Sequence, residues 1–279
     1  MPYTAEISRA NPTCFLFLVD QSGSMAQGFG PQSAKTKAQG VADAINRLLQ
    51  TLVCRCAKGD YILDRYYIGV VGYGGEIGLG FTGELAGEVL RSVGEIGNAP
   101  LRVEQRVKKI EDGLGGLVEQ RVNFPVWFEP VAGGKTPMCQ ALQAAGEVVG
   151  GFIQQHPGCF PPIVINITDG KATDGDPRPL AEQLQRLASS DGQVLLFNVH
   201  ISESGQTPIL FPTDASGLAD EYARMLFSMS SPLPAEMLRQ AQVLELPVAA
   251  GARGFAFNAD LVSVVMFLDI GTRVDTSLR

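Results

Sequence analysis

Apolar positions along the chain follow two rhythms. From Cys14 to Val19 they are continuous and bounded by polar turn residues, the pattern of a strand buried on both faces. Val41, Ile45, Leu48, Leu49, Leu52, Val53 and Cys56 then recur at helical spacing, with Ser33 placed as an N-cap. Asp64 to Tyr73 is rich in β-branched and aromatic residues and ends at Gly74-Gly75, which predicts a second strand. Further strands are predicted over Ile163–Ile167 and Gln193–Ile201. Helices are predicted over Pro137–Gln155, with Pro137 at its first position, over Pro179–Ser189, and near 217–228, 235–243 and 260–267. Buried strands alternating with helices give a doubly wound, Rossmann-like α/β fold, its sheet mostly parallel and covered by helices on both faces.

The rhythm breaks between about 76 and 130. A short helix is expected near Leu85–Val93, and Leu101–Ile110 and Leu117–Trp127 flank Asp112-Gly-Leu-Gly-Gly116 as a hairpin. This segment reads as a β-rich insertion or an antiparallel edge. A chain of 279 residues accommodates it within a single domain spanning 1–279.

Composition narrows the function classes. The chain is 45% hydrophobic with a formal charge of −7, a balance opposed to nucleic-acid binding, which needs clustered Lys and Arg. No apolar run, Cys14–Val19 and Val264–Leu268 included, approaches the ~20 residues of a membrane span. The N-terminus has neither the basic nor the apolar region of a signal peptide, so a cytoplasmic location is expected. Five cysteines without paired spacing fit reduced thiols, and Cys54 and Cys56 fall inside a helical pattern.

Three polar clusters lie at strand ends or in loops leading into helices, where open parallel sheets bind ligands. They are Asp20-x-Ser22-x-Ser24, Gly133-Gly-Lys-Thr136 and Thr168-Asp169-Gly170. All offer oxygen and none a paired His or Cys. Such a set suits a hard cation such as Mg²⁺, with Ser22, Ser24 and Thr136 supplying hydroxyls and Asp20 and Asp169 the negative charge.

Other readings compete for the same residues. Asp20-Gln-Ser-Gly-Ser also suits a helix cap or polar turn, and Thr173-Asp174-Gly-Asp176-Pro177 a turn before a helix. His156 and His200 have no partner at a spacing suited to base catalysis. Gly134-Lys135-Thr136 followed by a strand ending at Asp169 suggests a P-loop NTPase using Lys135 and Asp169. Against it, Glu129 stands where the first P-loop glycine belongs, and Pro137 lacks an N–H at the helix start. An aspartyl phosphotransferase with Asp20 as nucleophile would lack its second carboxylate, since Ser22 holds that position. Gln21-Ser22-Gly23 is no G-x-S-x-G elbow.

Asp20-x-Ser22-x-Ser24 after a buried strand, Thr136 in a later loop and Asp169 after a second buried strand resemble the metal-ion-dependent adhesion site of von Willebrand factor type A domains. Gly254–Asp260 and Phe267–Thr272 look similar to the tail of stand-alone prokaryotic members, including the tellurite-resistance TerY-like group. The resemblance implies a non-enzymatic adaptor whose Mg²⁺ or Mn²⁺ is held mainly by hydroxyls, with the aspartates partly acting through water. It implies a partner protein that presents an Asp or Glu to the metal. Similar proteins accompany Ser/Thr kinases and phosphatases in signalling or stress responses, and others assist AAA+ ATPases.

Overall fold

The computed structural model describes residues 2–29, 34–111, 117–202, 207–218, 221–246, 248–259 and 261–271. β1 (Thr13–Asp20) is buried over its whole length. Because successive side chains point to opposite faces, Phe15, Phe17 and Val19 enter one core while Cys14, Leu16 and Leu18 enter the other. Two buried faces explain the unbroken apolar run.

The chain continues through α1 (Lys37–Cys56), β2 (Tyr66–Tyr73), β3 (Ile77–Leu79), β4 (Leu90–Ser92) and α2 (Val93–Asn98). Next come β5 (Arg102–Glu111), β6 (Leu117–Val126), α3 (Met138–Gln155), β7 (Ile163–Thr168) and α4 (Arg178–Arg186). The remainder is β8 (Leu195–Ile201), β9 (Ile209–Leu210), α5 (Glu221–Met229), α6 (Ala235–Val243), β10 (Phe255–Ala259) and α7 (Leu261–Gly271).

The main sheet has the order β9-β10-β8-β7-β1-β2-β3, with β4 also pairing β2. Pairing is parallel from β10 to β2 and antiparallel for β3, β4 and β9 at the edges. The fold is therefore doubly wound α/β, as the alternation predicts. α1, α2, α6 and α7 cover one face and α3, α4 and α5 the other. After β1 the next parallel strand lies to one side and β7 to the other, so a topological switch point opens between the C-terminal ends of β1 and β7.

Several boundaries differ from expectation. The helix expected over 85–93 is instead a 3₁₀ turn at Gly83–Leu85, the edge strand β4, and then α2. Ser92 ends that strand and starts the helix, because its hydroxyl and Glu95 form a reciprocal capping box. Ser33 lies outside the described residues, and α1 is capped by Thr36 with Gln39. Pro137 occupies the cap of α3 rather than its first turn. α4 stops at Arg186, and Ala188–Ser189 pairs with Gly192–Gln193. β10, which the periodicity missed, is five residues long.

The two halves expected of the hairpin at 101–127 pair antiparallel, Arg102 against Val126 through Glu111 against Leu117. Its turn, 112–116, lies outside the described residues. Asn46 of α1 fixes the base: its Oδ1 accepts from the N–H groups of Trp127 and Phe128 at 2.9 and 3.0 Å, and its Nδ2 donates to the Phe128 carbonyl at 2.8 Å. The chain leaves this clamp for the loop that carries Thr136. No helix among the described residues is long and apolar enough to cross a membrane.

Candidate functional site

Asp20 ends β1 fully buried. Its Oδ1 accepts from the Ser22 N–H at 2.8 Å, and its Oδ2 from the Thr168 hydroxyl at 2.7 Å. Burial pushes its pKa up and the neighbouring Asp169 adds to this, while the hydrogen bonds from Ser22 and Thr168 oppose it. Ser22 stands at the cap position of the 3₁₀ turn Gly23–Ala26, yet its hydroxyl makes no capping bond. Instead its Oγ lies 3.0 Å from Ser24 Oγ, and Ser24 donates to Asp169 Oδ1 at 2.7 Å. The hydroxyls thus join the two carboxylate loops rather than closing a helix end.

Thr136 is buried at the end of the loop that leads into α3. Its N–H donates to Thr173 Oγ1 at 3.1 Å, and its carbonyl accepts from the N–H groups of Met138 and Thr173 at 2.8 and 2.9 Å. Its hydroxyl faces the Asp169 loop, since a Cβ built on Gly170 would stand 3.7 Å from Thr136 Oγ1. All five candidate positions therefore belong to one cluster at the switch point.

Backbone bonds hold the loops together. Gly133 N donates to the Gln21 carbonyl at 2.6 Å, Gly23 N to Gly134 at 3.2 Å and Lys135 N to Gly74 at 3.2 Å. Gly134 has φ +89°, and a Cβ there would meet Gly75 N at 2.5 Å. Only glycine gives that conformation and that approach without strain. The same bonds speak against a phosphate loop, because the N–H groups of Gly133 and Lys135 are spent on protein carbonyls instead of facing a ligand. The Lys135 side chain is exposed.

The other polar candidates have structural partners. Asp174 accepts from the N–H groups of Cys139 and Gln140 at 3.1 and 3.0 Å, holding the start of α3. Asp176 pairs with Arg178, His200 stacks on Phe257 and His156 packs on Phe152. A groove of about 540 Å³ runs from the Asp169 loop along α5, lined among others by Lys171, Arg178, Tyr222 and Arg224.

Two site residues escaped the sequence reading. Thr168 was read only as part of its cluster, yet it carries the hydrogen bond to Asp20. Lys37, the first residue of α1, is buried and reaches Asp169 Oδ2 at 2.9 Å and Gln27 Oε1 at 3.1 Å. A signal existed: a lysine in a first helical turn opposes the helix dipole and calls for a compensating partner.

Among the described residues no three His, Cys, Asp or Glu side chains form a metal-holding group. The cluster has two carboxylates and three hydroxyls, a set that fits a hard, oxygen-preferring divalent ion and disfavours a soft one.

No family profile matches the chain, and no curated protein matches it. Among solved structures, proximal thread matrix protein 1 from the mussel byssus aligns with 97% of this chain and 49% of its own at 15% identity, TM-score 0.49. A second structure of that protein, with a zinc-occupied MIDAS motif, gives TM-score 0.48 at the same identity and coverage. The ArnB paralog VWA2 from Sulfolobus acidocaldarius aligns with 69% of this chain and 36% of its own at 13% identity, TM-score 0.34. This chain spans about half the length, or less, of each. The fold assignment rests on the strand order and pairing above.

Proposed function

We propose that the chain is a von Willebrand A-type protein-interaction module that holds Mg²⁺ or Mn²⁺ at Asp20, Ser22, Ser24, Thr136 and Asp169. One observation carries this reading. The hydroxyls of Ser22 and Ser24 are turned inward to link the Asp20 loop to Asp169, at the switch point of a parallel sheet. A helix cap would have spent the Ser22 hydroxyl on a backbone N–H, which it does not.

A cation bound here supplies a coordination position that a carboxylate from outside completes, so the partner is a protein presenting an exposed Asp or Glu. The chain's own groups orient the donors: Thr168 steadies Asp20, the Gly133 and Gly134 backbone bonds tie the Thr136 loop to the Asp20 loop, and Thr173 ties Thr136 to the loop that follows Asp169. We propose a non-enzymatic, cytoplasmic role. The resemblance to TerY-like proteins favours a signalling or stress system with a Ser/Thr kinase or phosphatase, and an AAA+ ATPase partner is the other class it offers.

The test is Mn²⁺ binding followed by the loss of the free-ion electron paramagnetic resonance signal. Wild type should take up one ion per chain, and Asp20→Asn and Thr136→Ala should lose that site while keeping the wild-type circular dichroism. Equal uptake by all three would refute it.

A further inference from the structure

Lys37 has no role in the ligand set, yet it is placed at some cost. Its side chain is 5% exposed, and it sits in the first turn of a 20-residue helix, where the dipole disfavours a cation. Burying an ammonium is unfavourable unless it is paired, and its ionic partner is Asp169, itself 1% exposed. A buried ion pair is a poor device for stability alone, because apolar residues of similar volume do as well or better. The pair has another property: it places an ammonium group against one carboxylate of the metal cluster.

We infer, resting on the metal-site reading, that Lys37 is a tethered counter-charge that makes tight cation binding depend on an anionic ligand from outside. Two carboxylates and one ammonium leave the cluster with a single net negative charge. A divalent cation then over-neutralises it, and an incoming carboxylate restores balance. Without Lys37 the two aspartates alone would match the cation, and an external anion would bring surplus charge. Geometry acts in the same direction. Asp169 Oδ2 accepts from Lys37 and Oδ1 from Ser24, so each oxygen shares its charge with a donor and offers a cation less than an unengaged carboxylate would. In a site shielded from water these charge terms are large compared with their values at the surface. Lys37 therefore makes the cation and the partner's carboxylate bind cooperatively: each raises the affinity for the other by the same factor.

The experiment measures Mn²⁺ affinity for the full chain by the free-ion signal, with and without acetate as the carboxylate probe, at constant ionic strength set with perchlorate. The proteins are wild type, Lys37→Met, Lys37→Arg and Asp20→Asn. Lys37→Met should bind Mn²⁺ at least about tenfold more tightly than wild type without acetate, the effect of only ~1.4 kcal/mol. Acetate should tighten Mn²⁺ binding in wild type and Lys37→Arg and do so markedly less in Lys37→Met. Equal or weaker Mn²⁺ binding by Lys37→Met, or the same acetate effect in it, would overturn the inference, since a merely structural lysine predicts that result. If Lys37→Met fails to fold, Lys37→Gln carries the comparison, and failure of both assigns Lys37 a purely structural role and ends the proposal. The metal-site reading is judged separately by Asp20→Asn. Mn²⁺ binding that Asp20→Asn abolishes and Lys37→Met leaves unchanged sinks only the role of Lys37, whereas no binding by any protein sinks both.

Discussion

Asn46→Ala should test how the hairpin base is joined to the sheet. In the native chain one buried side chain satisfies three backbone groups, the N–H of Trp127, the N–H of Phe128 and the carbonyl of Phe128, at 2.8 to 3.0 Å. Both of those residues are themselves buried. A hydrogen bond of this kind is worth about 1 kcal/mol net, and an unsatisfied buried group costs at least as much, so three together come to about 3 kcal/mol or somewhat more. For a chain of this size that lowers the midpoint of thermal unfolding by roughly 5 to 7 °C. The assay is urea denaturation followed by fluorescence of Trp127, the only tryptophan, with circular dichroism as a second probe. Gln50→Ala is the control, since its 3.4 Å contact to the Asn123 carbonyl is long and exposed and its loss should stay within about 0.5 kcal/mol. A loss below about 1 kcal/mol for Asn46→Ala would refute the reasoning, because it would mean that the three groups find other partners.

Gly134→Ala should destabilise the Thr136 loop, since φ is +89° and the new Cβ would meet Gly75 N at 2.5 Å; a loss of at least about 1 kcal/mol in urea is expected. Tyr73→Phe removes a buried 2.6 Å bond to Asn166 Oδ1, whose amide in turn donates to Asn198, and should cost about 1 to 2 kcal/mol by the same assay. Burial raises the Asp20 carboxyl above its unfolded value, so the folded chain holds that proton more tightly than the unfolded chain. The Asp20 contribution to stability should therefore fall as pH rises from the unfolded pKa through the folded one. The gap between metal-free wild type and Asp20→Asn should widen in favour of the variant over that interval and close when Mn²⁺ is added. A gap of opposite sign would contradict the assignment.

The core strands were legible because burial on two faces leaves a continuous apolar run, as in β1 and β7, and Asp20, Ser22, Ser24 and Asp169 stood out as candidates because they follow the ends of those runs, whereas Thr136 lies in the loop before α3. β10 was not. Phe255-Ala-Phe-Asn-Ala259 is short, contains Asn258 at φ +52°, and owes its place to pairing with β8 rather than to its own pattern. The 85–93 region was misread because Leu85, Val89 and Val93 match helical spacing while serving a turn, an edge and a helix start in succession. Lys37 left only the signal of a lysine in a first helical turn, which does not say what it pairs with. Its partner lies 132 positions away, and spacing along the chain says nothing of a contact made by the winding of the sheet.

The main sheet ends in strands of two and three residues, too short to template another chain. The β5–β6 hairpin does the opposite, with ten-residue strands whose only described strand partners are each other. Both flanks thus offer rows of backbone donors and acceptors, and Val103 and Val107 on one face are 53% and 58% exposed. What keeps such an edge from pairing with a copy of itself is charge, here Arg102, Glu104 and Arg106 in a mutual salt-bridge network. Salt that screens those residues should promote self-association, visible in light scattering, well before it disturbs the fold.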